Sequence, residues 1–137
     1  MAGTDRRLQA EEARRWLAHA LRDIAAAERA IAVPPPLADV PAYHCQQAVE
    51  KLSKALLVAA AVRPRKTHDL DFLADEVAAA WPELTSLAEP LRHCTTWGFA
   101  YRYPLPEDEP APTVEELQGT LRQLDALRQA VADRVGG

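Results

Sequence analysis

The residues best suited to chemistry crowd into one short segment, Ala42–Leu57, AYHCQQAVEKLSKALL. It places His44, Gln46, Gln47, Glu50, Lys51, Ser53 and Lys54 among packing residues. On a helix, positions three or four apart are neighbours, so His44, Gln47, Lys51 and Lys54 form one ridge and Gln46, Glu50 and Ser53 the adjacent one. Glu50 stands four residues before Lys54, the order that favours a helical ion pair; on a solvated face such a pair contributes only ~0.3–0.5 kcal/mol. Two readings follow from these residue types. The ridges can be an ordinary solvated face, or they can line a polar site in a helical bundle, where amides meet polar edges and ammonium groups meet phosphate.

Lysine use is uneven, although three residues can also cluster by chance. Arginine is strongly preferred elsewhere, and the only lysines are Lys51, Lys54 and Lys66. Arg63, Arg65, Lys66 and His68 make a basic knot just after the segment, and His68-Asp69 opens a further helix. The first backbone N–H groups of a helix can receive an anion, which Arg63, Arg65 or Lys66 could then clamp. A soluble surface turn would look the same. His93, Trp97 and Tyr101, with Phe99 and Tyr103, form rows that could stack a base, although packing is the commoner use of such rows.

Composition bounds the alternatives. The net charge of −4 argues against a surface coated for nucleic acid. The acidic run Glu107, Asp108, Glu109, Glu115 and Glu116 adds to that imbalance. Cys45 and Cys94 belong to no CxxC or Cys/His cluster, so two small buried thiols are expected, with no metal and no cofactor. No apolar run approaches the ~20 residues of a membrane span, and the N-terminus lacks the apolar core of a secretory signal. The expected location is the cytoplasm, with no membrane partner.

The elements that must position these residues read as helices throughout. A long amphipathic helix capped by Thr4 or Asp5 carries Ala13, Trp16, Leu17, Ala20, Leu21, Ile24, Ala27 and Ile31, with Arg14, Arg15, Arg22, Asp23 and Arg29 mostly on the solvated side. VPPPLADVP breaks it. Helix two is expected from about Ala42 to Ala61, with Cys45, Ala48, Val49, Leu52, Ala55, Leu56 and Ala59 as its apolar stripe. A third begins near His68 or Asp69 and stops at Trp81-Pro82. A fourth is expected over Glu83 to about Tyr101, with Pro90 as a kink or the first turn of a separate helix. The last opens on the capping box Thr113-x-x-Glu116 and packs through Leu117, Leu121, Leu124, Leu127 and Val131. The expected architecture is an all-α, four- to five-helix up-and-down bundle. It forms a single domain over 1–137, with its core over about 5–135 and flexible extreme termini.

Three landmarks now align. Gln47-Ala48-Val49-Glu50-Lys51-Leu52-Ser53-Lys54-Ala55, Thr67-His68-Asp69-Leu70 and Arg102-Tyr103-Pro104 resemble the Q-A-x-E-K-x-x-K-A helix, T-H-D-L turn and R-Y-P of the HEPN (higher eukaryotes and prokaryotes nucleotide-binding) domain family. The resemblance runs from about Arg15 to Val135. It implies a bundle that often dimerises, a role in nucleotide- or RNA-related systems, and frequent company with a minimal nucleotidyltransferase. Some subfamilies are metal-independent ribonucleases carrying Arg-x(4–6)-His. Here Arg92 is followed at that distance by Trp97, Gly98 and Phe99, and Arg102 by Glu107, Asp108 and Glu109. Arg63 and His68 fit the spacing formally but precede helix three, so no catalytic residue is assigned.

The expectation is a non-catalytic or regulatory nucleotide- or RNA-binding module beside a nucleotidyltransferase-like partner, and a homodimer through helices one and five. Its binding residues would be Gln47, Glu50, Lys51, Lys54, His68, Asp69, Arg102 and Tyr103. Gln47 would read polar edges, Lys51 and Lys54 would meet phosphate, Glu50 would orient them, and His68 with Asp69 would form a second wall that Arg102 closes. The alternatives are a metal-independent endoribonuclease toxin and a helical dimerisation scaffold whose polar ridge is structural.

Overall fold

A computed structural model of the chain describes residues 3–35, 38–97 and 111–136, which are helical wherever they are regular. The main helices are α1 (Gly3–Ala32), α2 (Asp39–Ala59), α3 (Leu70–Ala80), the single turn α4 (Thr85–Ala88) and α5 (Val114–Val135). They make the expected all-α, five-helix up-and-down bundle, and no strand occurs among the described residues.

The boundaries follow local chemistry. α1 begins at Gly3, so Asp5 sits inside its first turn, where a carboxylate complements the helix dipole. α2 begins a turn before the expected Ala42, because Pro41 falls in the first turn, where its missing N–H would have had no helical partner. It also ends earlier, at Ala59. The Val62 N–H donates to the Leu57 carbonyl at 2.8 Å and Ala61 N–H to Val58 at 3.0 Å, with Ala61 at φ 62°. This is a Schellman closure carried by alanine where glycine is usual. Asp69 caps α3, its carboxylate accepting from the Asp71 and Phe72 N–H groups. Thr113 caps α5 by accepting from the Glu116 N–H at 3.1 Å, and Gly136 closes that helix in the left-handed conformation at φ 69°.

Over residues 82–94 the expected fourth helix is replaced by short turns. Pro82–Leu84 and Glu89–Cys94 are 3-10 turns flanking α4, each with proline in its first turn. Pro82 and Pro90 each remove a backbone donor and so break the register of a long helix, and Pro90 takes the first-turn role rather than kinking one. The remainder of the expected helix, from Gly98, lies outside the described residues. So do Arg102, Tyr103 and the acidic residues Glu107–Glu109.

α2 is the centre of the bundle. It packs against α1, α3 and α5, and every residue from Cys45 to Val58 except Lys51 is buried. The core around it is built from Leu17, Ala20 and Ile24 of α1, Leu73 and Val77 of α3, Leu91, and Leu124, Leu127 and Val131 of α5. α1 and α2 run antiparallel. Near one end the Gln9 side chain donates to the Val58 carbonyl at 2.8 Å; farther along, Asp23 meets His44 at 2.8 Å. This placement decides the meaning of the polar ridges. A helix surrounded on most sides has little solvated face, so its polar residues must find partners inside the protein.

Candidate functional site

The partners are found in two units of like construction, both built with side chains of α2. In the first, Glu50 is the buried acceptor. Its Oε1 accepts from His68 Nδ1 at 2.7 Å and from Gln46 Nε2 at 3.3 Å, and its Oε2 accepts from Lys54 Nζ at 3.1 Å. Gln47 extends the chain by donating from Nε2 to Gln46 Oε1 at 2.7 Å. The Lys54 ammonium also lies 5.4 Å from the centre of the Trp16 ring, a cation–π contact across to α1. The solvated-face reading of Gln46, Gln47, Glu50, Ser53 and Lys54 is therefore overturned: all five are buried. Ser53 donates to the Val49 carbonyl of its own helix at 2.8 Å.

In the second unit, Asp23 of α1 is the acceptor. Its Oδ1 accepts from His44 Nδ1 at 2.8 Å and its Oδ2 from Lys51 Nζ at 2.7 Å. Asp23 is only 7% exposed, which corrects its assignment to the solvated side of α1. It turns inward because His44 and Lys51, two turns apart on α2, converge on it. Its partners lie 21 and 28 residues away, beyond the reach of helical periodicity.

Each unit thus joins a buried carboxylate, a lysine and an imidazole bound through Nδ1. An Nδ1–H donated to carboxylate orients the ring, as in carboxylate–histidine pairs generally, and leaves Nε2 as the outward atom. The His68 side chain is 62% exposed and that of His44 27%. The buried groups hold the arrangement while the imidazoles carry it to the surface. Among the described residues, every buried side-chain nitrogen and oxygen has a hydrogen-bond partner.

Other expected site residues take different roles. Asp69 is absorbed in capping α3 and does not join the Glu50 unit. The first N–H groups of α3 are engaged as well: Leu70 N–H donates to Thr95 Oγ1 at 3.1 Å, and the next two donate to Asp69. The helix start proposed as an anion seat is thereby filled by the protein itself. Arg65 lies 5.1 Å from the Phe72 ring centre. Arg63 lines a cleft with Gln9 and Glu12, whereas His68 engages Glu50, so the formal Arg63/His68 pair is divided between two neighbourhoods. Arg92 is held by Asp71, Asp75 and Glu89, which raise its already high pKa further. His93 and Trp97 pack edge to face at 4.9 Å.

Sequence reasoning missed the α1 side of the molecule. Two clefts of about 380 and 420 Å³ adjoin along α1 and α2 and share His19 and Lys51. The first is lined also by Glu12, Arg15 and Trp16, the second by Arg22, Asp23, Ala26 and His44. The available signal was the spacing of Arg15, His19 and Arg22 at i, i+4 and i+7, one stripe of a helix.

This architecture, a helical bundle whose central helix carries charged residues into the core, is consistent with the family that the motifs resemble. The chain matches the HEPN domain over residues 13–134 and belongs to the HEPN domain family. No curated protein and no solved structure matches it.

Proposed function

We propose that the protein is a non-catalytic nucleotide- or RNA-binding HEPN module that acts as a homodimer beside a nucleotidyltransferase-like partner. The observation that carries the binding role is the pair of carboxylate–lysine–imidazole units on α2. A helix needed only for packing would not be expected to bury Glu50, Lys54, Gln46 and Gln47, because buried polar groups lose hydration that partners must replace. Here that network ends on the solvent-facing imidazole of His68, and the Asp23 unit ends on that of His44, with Lys51 beside it. Imidazoles and an ammonium suit phosphate oxygens and base edges. Glu50, with Gln47 and Lys54 in its network, then acts from below to fix His68, as Asp23 fixes His44, rather than touching ligand. Arg102 and Tyr103 keep their family-motif assignment in this reading. The dimer is favoured by Leu8 and Leu21, which α1 leaves exposed, while the leucines Leu117, Leu124 and Leu127 of α5 are used within one chain.

Calorimetry with ATP, GTP and a short RNA tests the reading. Binding should be measurable for at least one, and His44→Ala/His68→Ala should weaken it about tenfold with the fold retained. No binding to any of them, or equal affinity for the double variant, overturns it.

A second reading has its own support. The complete pairing of the buried polar atoms is what a purely structural network would also need, since satisfied networks specify one packing arrangement. That reading expects Glu50→Gln to lower stability while ligand or partner affinity stays unchanged when His44 and His68 are removed.

A further inference from the structure

We propose that the α1–α2 groove holds one nucleotide unit, its base against Trp16 and its phosphate between Arg22 and Lys51. This rests on the nucleotide- or RNA-binding reading and assigns a location and ligand parts that the family motifs do not: except for Lys51, the groove residues named here lie outside those motifs. The two clefts meet at His19 and Lys51, so they form one continuous trough along the helix pair. Its contents divide by chemistry along its length. At one end stands the half-buried Trp16, the large aromatic of the trough, with the Lys54 ammonium 5.4 Å from its ring centre. At the other end Arg22 lines the cleft with His44 and Asp23, and Asp23 holds His44 and, from the junction, Lys51.

The two ends are spaced for a ligand with two such parts. Trp16 and Arg22 are six positions apart on α1, a rise of about 9 Å at 1.5 Å per residue. That is the scale of the separation between a base and the phosphate of its own nucleotide. A base stacked on an aromatic side chain gains roughly 1–3 kcal/mol without sequence preference. An exposed guanidinium offers a planar fork to phosphate. Asp23 determines which groups remain available. Both its oxygens are occupied, one by His44 and one by Lys51, so it positions these donors at 2.8 and 2.7 Å rather than facing the trough as a naked anion. The remaining carboxylate, Glu12, sits with Arg15 at the Trp16 end, away from the proposed phosphate position. The formal charge of the lining is three cations (Arg15, Arg22, Lys51) against two anions (Glu12, Asp23), before either imidazole is counted.

The test uses AMP, adenosine and ribose 5-phosphate with the intact protein, followed by amide chemical shifts. AMP should perturb residues of α1 around Trp16 and Arg22 and of α2 around Lys51. Adenosine and ribose 5-phosphate should each bind at least tenfold more weakly. Arg22→Ala, which removes an exposed side chain outside the buried units, should weaken AMP at least tenfold, whereas Arg128→Ala, on α5 where Arg128 pairs with Asp125, should leave AMP binding unchanged. Perturbations confined to the His68 side, equal affinity for Arg22→Ala, or RNA binding without AMP binding would overturn this assignment while leaving the broader reading in place. If neither AMP nor any RNA binds, both fail.

Discussion

At the scale of single residues, the charges on α2 divide into those that fold the protein and those that face solvent. Glu50 and Lys54 are buried together, and removing one partner leaves the other as an unpaired interior charge. Glu50→Ala should therefore destabilise the protein by about 3–5 kcal/mol in urea denaturation. His68→Ala, at an exposed ring, should cost less than about 1 kcal/mol. The thiols give a second residue-scale expectation. Burial pushes the Cys45 thiol up to about 12 and raises Cys94 as well. The native thiol holds its proton more tightly than the unfolded one, so its contribution is complete below the ordinary value of 9.0 and is lost as pH rises toward about 12. Cys45→Ala should flatten the fall in stability between about pH 9 and pH 10.5, by up to ~1.4 kcal/mol per pH unit.

At the scale of elements, the ends of the helices hold much of what can be adjusted. Ala61 closes α2 at φ 62°, a conformation that costs an L-residue about 1 kcal/mol and glycine little. Ala61→Gly should raise stability by roughly 0.5–1 kcal/mol, read as a shift in the denaturation midpoint. Asp69→Ala should cost about 1 kcal/mol through the lost cap. The same scale shows what the sequence made legible. The apolar stripes of α1 and α5, the start of α3 near Asp69 and the Thr113 start were readable because they are local, whereas Asp69 was assigned to a binding wall and not to the cap it forms. The Glu50–Lys54 pair was readable too, being four residues apart on one helix. The burial of α2 on nearly every side was not read from its stripe, although the unbroken run from Ala55 to Val62 wraps a whole helical circumference and was a signal for it. Asp23 was illegible for a different reason. It reads as one more charge among the α1 arginines, next to Arg22, and its partners come from another helix. The turns after Trp81 departed from the expected helix because Pro82 and Pro90 each start a new turn.

At the scale of the whole molecule, the bundle builds two polar units from one buried helix, with a cationic trough beside them. The proposal that unites these features is a phosphate-binding face built on α1 and α2 of this HEPN-family bundle. Native mass spectrometry should show a dimer as the dominant species. The claim itself is tested most directly by titrating a short single-stranded RNA at several salt concentrations. With one phosphate between Arg22 and Lys51 and the strand's neighbouring phosphate at Arg15, log K should fall against log salt with a slope of about −1.4, at ~0.7 per phosphate neutralised on a single strand. Absence of binding at low salt, or an affinity independent of salt, would contradict it.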